Sequence, residues 1–116
     1  AWGGPPRDPA IDGTVVPYAA AGSLMFTPDV SLPALRAMKE KYGEKVYGRY
    51  GFTDAFNPNN DWVNPDVIGI DQGITLLAAE NLRDGLVWRH FMKNVEIHTA
   101  LNRVGLRKTR RQNRER

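Results

Sequence analysis

The sequence predicts an all-α fold of about four helices joined by long irregular loops. Three observations carry this. Apolar residues recur at helical spacing in separate stretches, the interval from Gly43 to Asp71 has no sustained periodicity, and the breaks between stretches are rich in Gly, Pro, Asp and Asn. At 116 residues, with 41% apolar and 25% charged side chains, the chain has the size and make-up of one small globular domain.

The first helix is expected over the alanine-rich run from Pro17 to Phe26, after an opening segment, Ala1 to Gly13, whose three glycines and three prolines cannot sustain a helix. Proline suits a first helical position, and Gly22 weakens the middle of the run. Thr27-Pro28-Asp29 then marks a turn or a helix start, and Ser31 can cap a second start. Leu32, Leu35, Met38 and Tyr42 follow at helical spacing, Gly43 supplies a stop, and Arg36, Lys39, Glu40 and Lys41 form the polar face.

Val46 to Phe52 reads as a short strand or hairpin edge, and DAFNPNNDWVNPD as a long ordered loop, because Asx side chains bond their own backbone and proline fixes φ. Long connections of this kind tend to be functional. Beyond Asp71, residues 74, 76–79, 82, 86–88, 91 and 92 are apolar, predicting one helix buried on several sides. Asn94 opens a final short helix with Ile97, Ala100, Leu101 and Val104 on one stripe, and Gly105 ends it. The apolar helix asks for more cover than three short partners provide, which points to a larger helical assembly.

The net charge of +3 is unevenly placed. Residues 103–116 hold six arginines and Lys108 against Glu115, a net +6, and leave residues 1–102 with nine positive and twelve negative charges. The tail RKTRRQNRER has no apolar residue, so a solvated terminus is expected; without interleaved aromatics a specific nucleic-acid site is unsupported. Cysteine is absent, which excludes disulfides, thiolate metal sites and cysteine nucleophiles. His90 and His98 are spaced eight apart, unlike a zinc pair, and the alternating Asn57, Asn59 and Asp61 lack a calcium loop's glycine and glutamate, whose places Trp62 and Ile68 take. Neither a metal nor another cofactor is expected. No run of eighteen apolar residues is present, so no membrane span is expected either.

The chemistry-bearing residues gather in the loops. Trp2, Tyr50, Phe52, Phe56 and Trp62 accompany Asp54, Asn57, Asn60, Asp61, Asn64 and Asp66. Sugar rings offer apolar CH faces and many hydroxyls, which suit flat aromatic platforms beside short amides and carboxylates. The plainer reading has the aromatics anchoring loops while Asp and Asn make turns. Asp54, Asp71 and Glu80 are the candidates for acid–base work. Asp71 follows Ile68-Gly69-Ile70 and precedes an apolar helix, so it is expected to be partly desolvated yet kept ionised by helix amides, either as a general base or simply as an N-cap. Glu80 either reaches a cavity or pairs with Arg83 or Arg49.

Four strings in order, DGTVVPYAAAGSLMFTP, YGRYGFTDAFNP, WVNPDVIGIDQGITLLAAEN and GLVWRHFMKN, resemble the C-terminal portion of the glucoamylase-like family of bacterial proteins, which includes glycoside hydrolase family 144, the β-1,2-glucanases. The resemblance spans residues 1–106 and leaves out the basic segment 107–116. It implies the C-terminal portion of an (α/α)6 barrel, most of which lies outside this chain, with long loops lining sugar subsites. It further implies a glucan or oligosaccharide substrate, a periplasmic or secreted location, and inverting hydrolysis whose glutamic acid has no counterpart here. Asp71 in GIDQG becomes the first candidate for the base and Asp54 in TDAF the second. Trp2, Tyr50, Phe52, Asn57 and Trp62 become sugar contacts, and Gln72 a partner for a sugar hydroxyl. Two other readings remain: a carbohydrate-binding remnant without catalysis, and a helical module whose basic tail binds a polyanion.

Overall fold

A computed structural model describes residues 12–107, and they are mostly helical. In chain order come α1 (Pro17–Gly22), α2 (Pro28–Tyr42) and a 3₁₀ turn at Gly43–Lys45. Two hairpins follow, β1 (Tyr47–Gly48) with β2 (Gly51–Phe52), and β3 (Phe56–Asn57) with β4 (Trp62–Val63). The chain continues into α3 (Gly69–Arg83), α4 (Leu86–Phe91) and α5 (Val95–Arg103). Five helices therefore stand where about four were expected. Trp2 and residues 108–116 of the basic tail lie outside the described residues.

The extra helix arises because the apolar run beyond Asp71 is broken. Asp84 leaves helical geometry and Gly85 takes a left-handed φ of 73°, which glycine adopts without steric cost. The apolar positions continue across this point, so periodicity conceals a break that the Asp-Gly pair marks. Helix α2 starts at Pro28, whose fixed φ suits the first position, rather than at Ser31, which lies buried in the first turn with its Oγ 3.2 Å from Thr27 Oγ1. Helix α1 stops at Gly22, and Ser23–Phe26 continue as turns rather than helix. The Asx/Pro stretch contains the β3–β4 hairpin, so it is more regular than a loop. Asn94 and Gly105 bound α5 as expected.

The chain divides into two units, one ending at Asp84 and one beginning at Gly85. In the first, α1 packs against both α2 and α3. Ala21, Leu24 and Ala78 are buried, and the bare Cα of Gly22 lets Ile74 close in, its Cδ1 only 3.3 Å from where a Cβ would stand. Asn81 Nδ2 lies 3.4 Å from Met25 Sδ. Below the helices Val46, Ala55 and Phe56 are buried, with the Phe56 ring tilted against Tyr42 at 4.8 Å. Val15 exchanges backbone hydrogen bonds of 2.7 and 2.9 Å with Phe56, fastening the segment before α1 to β3. Other parts of the α3 surface are open: Ile70, Leu76 and Leu77 are all exposed.

The second unit consists of α4 and α5, where His98 Nε2 lies 3.0 Å from Met92 O, and Trp88, Met92, Leu101 and Leu106 line a concave apolar surface. Among the described residues no helix is long and apolar enough to cross a membrane.

Candidate active site

The polar loop residues are ordered by their own amides. Asn57, at the end of β3, is only 2% exposed. Its Nδ2 donates to Asp12 O and Thr14 Oγ1, both at 3.3 Å, and its Oδ1 accepts from the Asn59 backbone at 2.9 Å. Asn59 Nδ2 adds a 3.1 Å bond to Asp12 O, and Asn60 Oδ1 accepts from Trp62 N at 3.1 Å. The β3–β4 loop is thereby stitched to the segment before α1, and Asp61 is held at a left-handed φ of 60°. Asn57 thus braces the loop, with both ends of its amide occupied.

The first hairpin is fixed by α3. Gln72 Nε2 donates to Phe52 O at 3.0 Å, so the amide assigned to a sugar hydroxyl is engaged with the hairpin. Gly51, at φ 101°, makes room for that side chain: a Cβ there would stand 2.6 Å from Gln72 Oε1. Phe52 meets the edge of Tyr47 at 4.8 Å, and Lys39 Nζ lies 4.4 Å above the Tyr47 ring. Tyr50, at the turn, is 69% exposed with the Arg49 guanidinium 5.3 Å over one face of its ring, and Trp62 on β4 is 48% exposed; these are the two exposed aromatics among the described sugar-contact candidates.

Asp71 sits in the first turn of α3, not before it. The helix begins at Gly69, its N-cap is Ile68, and no side chain caps it. The expectation of an N-cap carboxylate kept ionised by helix amides is therefore corrected. Asp71 is buried, 6% exposed, and its Oδ2 has no hydrogen-bond partner among the described residues. Burial, together with the neighbouring Asp54 carboxyl, raises the Asp71 pKa above its usual 3.8. Asp54 acts on Asp71 through its charge and as a side-chain hydrogen-bonding neighbour. Its own Oδ2 accepts from Asn64 Nδ2 at 3.0 Å. The two carboxyl groups singled out from the sequence thus form one pair, although seventeen positions separate them. Glu80 is not part of it, since it binds Arg83 Nη2 at 2.6 Å one turn along the same helix.

Sequence reasoning named Asn64 as one of several Asx residues suited either to sugar hydroxyls or to turns. It joins the site through a contact ten residues back, for which no spacing rule exists. A buried carboxyl pair can accept or store one proton; the exposed rings of Tyr50 and Trp62 offer flat apolar faces of the kind sugars stack on.

Residues 1–95 match the model of the "Putative glucoamylase" family. Over 100 residues the chain is 36% identical to an exo β-1,2-glucooligosaccharide sophorohydrolase (non-reducing end) from Parabacteroides distasonis, a match covering 86% of this chain and 14% of the relative. A crystal structure of a "putative glucoamylase" from Bacteroides uniformis is similar at 40% identity and a TM-score of 0.72, covering 78% of this chain and 22% of that one. An endo-β-1,2-glucanase from Chitinophaga pinensis, solved with sophorotriose and glucose, is similar at 36% identity and a TM-score of 0.71, with the same coverage. This chain spans about a seventh to a fifth of the length of these relatives. The chain belongs to the glucoamylase-like family, whose relatives include β-1,2-glucan hydrolases.

Proposed function

We propose that this chain supplies one part of the catalytic domain of a glycoside hydrolase acting on β-1,2-linked glucans, the remainder of an (α/α)6 barrel lying in sequence beyond these 116 residues. The observation that carries this is the Asp54–Asp71 pair, a buried acid with an unpartnered oxygen and a second carboxyl as its neighbour, in a chain similar to enzymes that cleave such glucans. The exposed apolar residues of α3 support the barrel, because Ile70, Leu76 and Leu77 offer surface for neighbouring helices to cover.

Inverting hydrolysis needs an acid to protonate the leaving oxygen and a carboxylate on the opposite face to take a proton from water. In this reading the acid is a glutamate outside the chain, and the pair is the proton acceptor. An acid with a raised pKa is, once ionised, a stronger base than an ordinary aspartate, and this suits Asp71 to the task. Water then attacks the anomeric carbon, its proton passes to the pair, and the glycosidic bond breaks as the leaving oxygen is protonated. Tyr50 and Trp62 stack against sugar rings, while Phe52, Asn57 and Gln72 hold the hairpins that carry them.

A chimera tests this. This chain replaces the matching segment of the Chitinophaga pinensis endo-β-1,2-glucanase, and oligosaccharide release from linear β-1,2-glucan is measured. Retained release is expected, with Asp71→Asn lowering turnover by roughly 10²–10⁴-fold while the fold survives. Full turnover in Asp71→Asn would remove the pair from the mechanism. Sugar binding without hydrolysis in the parent chimera would identify a binding remnant instead.

A further inference from the structure

Side chains alternate between the two faces of paired strands, so register decides which of them can meet. In the second hairpin Phe56 stands opposite Val63 and Asn57 opposite Trp62. Continued outward, that register sets Ala55 opposite Asn64, where Asn64 N donates to Ala55 O at 2.9 Å, and Asp54 opposite Pro65. Pro65 has no N–H to offer. The Asp54 N–H passes it by and donates to Asp66 O at 3.0 Å, and the Thr53 hydroxyl donates to the same carbonyl at 3.2 Å. In the regular register Asp54 and Asn64 would lie on opposite faces. The offset of one residue at Pro65 puts them on the same face, and Asn64 Nδ2 donates to Asp54 Oδ2 at 3.0 Å. The amide is aimed from its other end, because Asn64 Oδ1 accepts from Asp66 N at 3.1 Å in an Asx turn across Pro65. The two residues flanking the proline thus hold Asp54 twice, Asp66 by its backbone and Asn64 by its carboxylate.

We infer that Asn64 is the positioning residue of Asp54: the offset at Pro65 turns its amide onto one carboxylate oxygen, Oδ2, and leaves Oδ1 as the oxygen presented to the reaction. The inference rests on Asp54 being one of the reacting carboxyls proposed above. An aspartate side chain otherwise moves among several rotamers, and a hydrogen bond to a charged acceptor is strong enough to select one. The frame behind the bond is firm, since Ala55, Phe56 and Asn57 are all buried. Asn64 acts through Asp54, with its oxygen and one of its N–H groups already engaged. A misplaced reacting group loses rate steeply with distance, which is the loss this arrangement prevents.

The test begins with NMR on the full 116-residue chain. Three-bond Hα–Hβ couplings of Asp54 should report one χ1 rotamer, and one Asn64 side-chain N–H should be protected from solvent exchange until Asp54→Ala removes its acceptor. Asn64→Asp is the deciding variant: a carboxylate keeps an acceptor for Asp66 N, and with it the turn, but has no donor for Asp54. There the Asp54 couplings should average over rotamers. In the chimera described above, Asn64→Asp should lower kcat by roughly 10–100-fold at neutral pH while KM stays within about twofold. Acidification should narrow the gap to the unaltered chimera, as the substituted carboxyl takes up a proton and can donate again. A merely structural asparagine predicts the reverse, because with the turn intact Asn64→Asp would keep both the couplings and kcat. Averaged couplings in the unaltered chain, or an unchanged rotamer in the folded variant, overturns the inference. Should Asn64→Asp fail to fold, Asn64→Ser takes its place, since its hydroxyl can accept from Asp66 N but stops short of Asp54. Failure of the glucan-hydrolase reading would show separately, as a parent chimera that releases nothing, and the couplings would still decide the placement of Asp54.

Discussion

The hairpin segment from Val46 to Asp66 and helix α3 are opposites. The segment is polar, irregular in pattern and dense in Asp and Asn, yet its groups are engaged with one another: Asn57 with Thr14 and the Asp12 carbonyl, Asn64 with Asp54, Thr53 with Asp66. Helix α3 is strongly patterned and apolar, yet only Asp71, Ala78 and Asn81 on it are buried. The region without sustained periodicity carries its own order, as its Asx and Pro residues lead one to expect. The region that looks like core leaves most of its apolar surface uncovered. Much of the local geometry is thus set within the hairpin segment, whereas helix α3 leaves apolar surface for a neighbour to cover.

The two faces of α3 give the sharpest way to break this comparison. Ala78 is fully buried, so Ala78→Asp should cost about 3–5 kcal/mol by leaving a charge without a partner. Leu76, 68% exposed, should tolerate Leu76→Gln to within about 0.5 kcal/mol in the isolated chain. Urea unfolding of both variants checks the contrast, and a large loss in Leu76→Gln would mean that the open face is already covered. Next in size is Asn57→Ala, expected to cost about 1–3 kcal/mol because a buried amide loses three hydrogen bonds. Protection of the Asn59 amide from hydrogen exchange should fall with it, since Asn57 Oδ1 is its acceptor. Gly51→Ala should cost about 1–2 kcal/mol, combining a left-handed φ with a Cβ that collides with Gln72 Oε1. Thermal melts of Gly51→Ala with and without Gln72→Ala should show partial recovery in the double variant.

Asp71→Asn has a smaller effect whose sign depends on pH. The folded-state pKa of Asp71 lies above its ordinary 3.8, so the protonated acid is favoured by folding. That contribution is complete below the unfolded pKa and is lost as pH rises through the folded value. Asp71→Asn should therefore match the unaltered chain at acid pH and melt higher at neutral pH. The opposite crossover would show that helix amides do govern this carboxylate.

Much of the fold was legible in the sequence because its signals are local. The spacing of Leu32, Leu35, Met38 and Tyr42 marks α2, and Asn94 with Gly105 brackets α5. Misjudged boundaries came from competing local signals, as at Gly85, where apolar spacing ran through a turn dipeptide, and at Asp71, where the helix starts two residues earlier on glycine. At the site, Asp54 and Asp71 could be named as acids but not paired, since their approach depends on how the hairpins settle against α3. The role of Asn64 was hidden for the same reason. Gln72 could be named too, but its engagement with Phe52 O belongs to tertiary structure.

That engagement has a mechanical consequence. Residues 71 and 72 are consecutive on α3; one bears the carboxyl that answers Asp54, the other grips the strand next to Tyr50. A rotation or slide of this helix would displace acid and aromatic ring together, so any neighbour that docked on the open side of α3 would hold a lever on both.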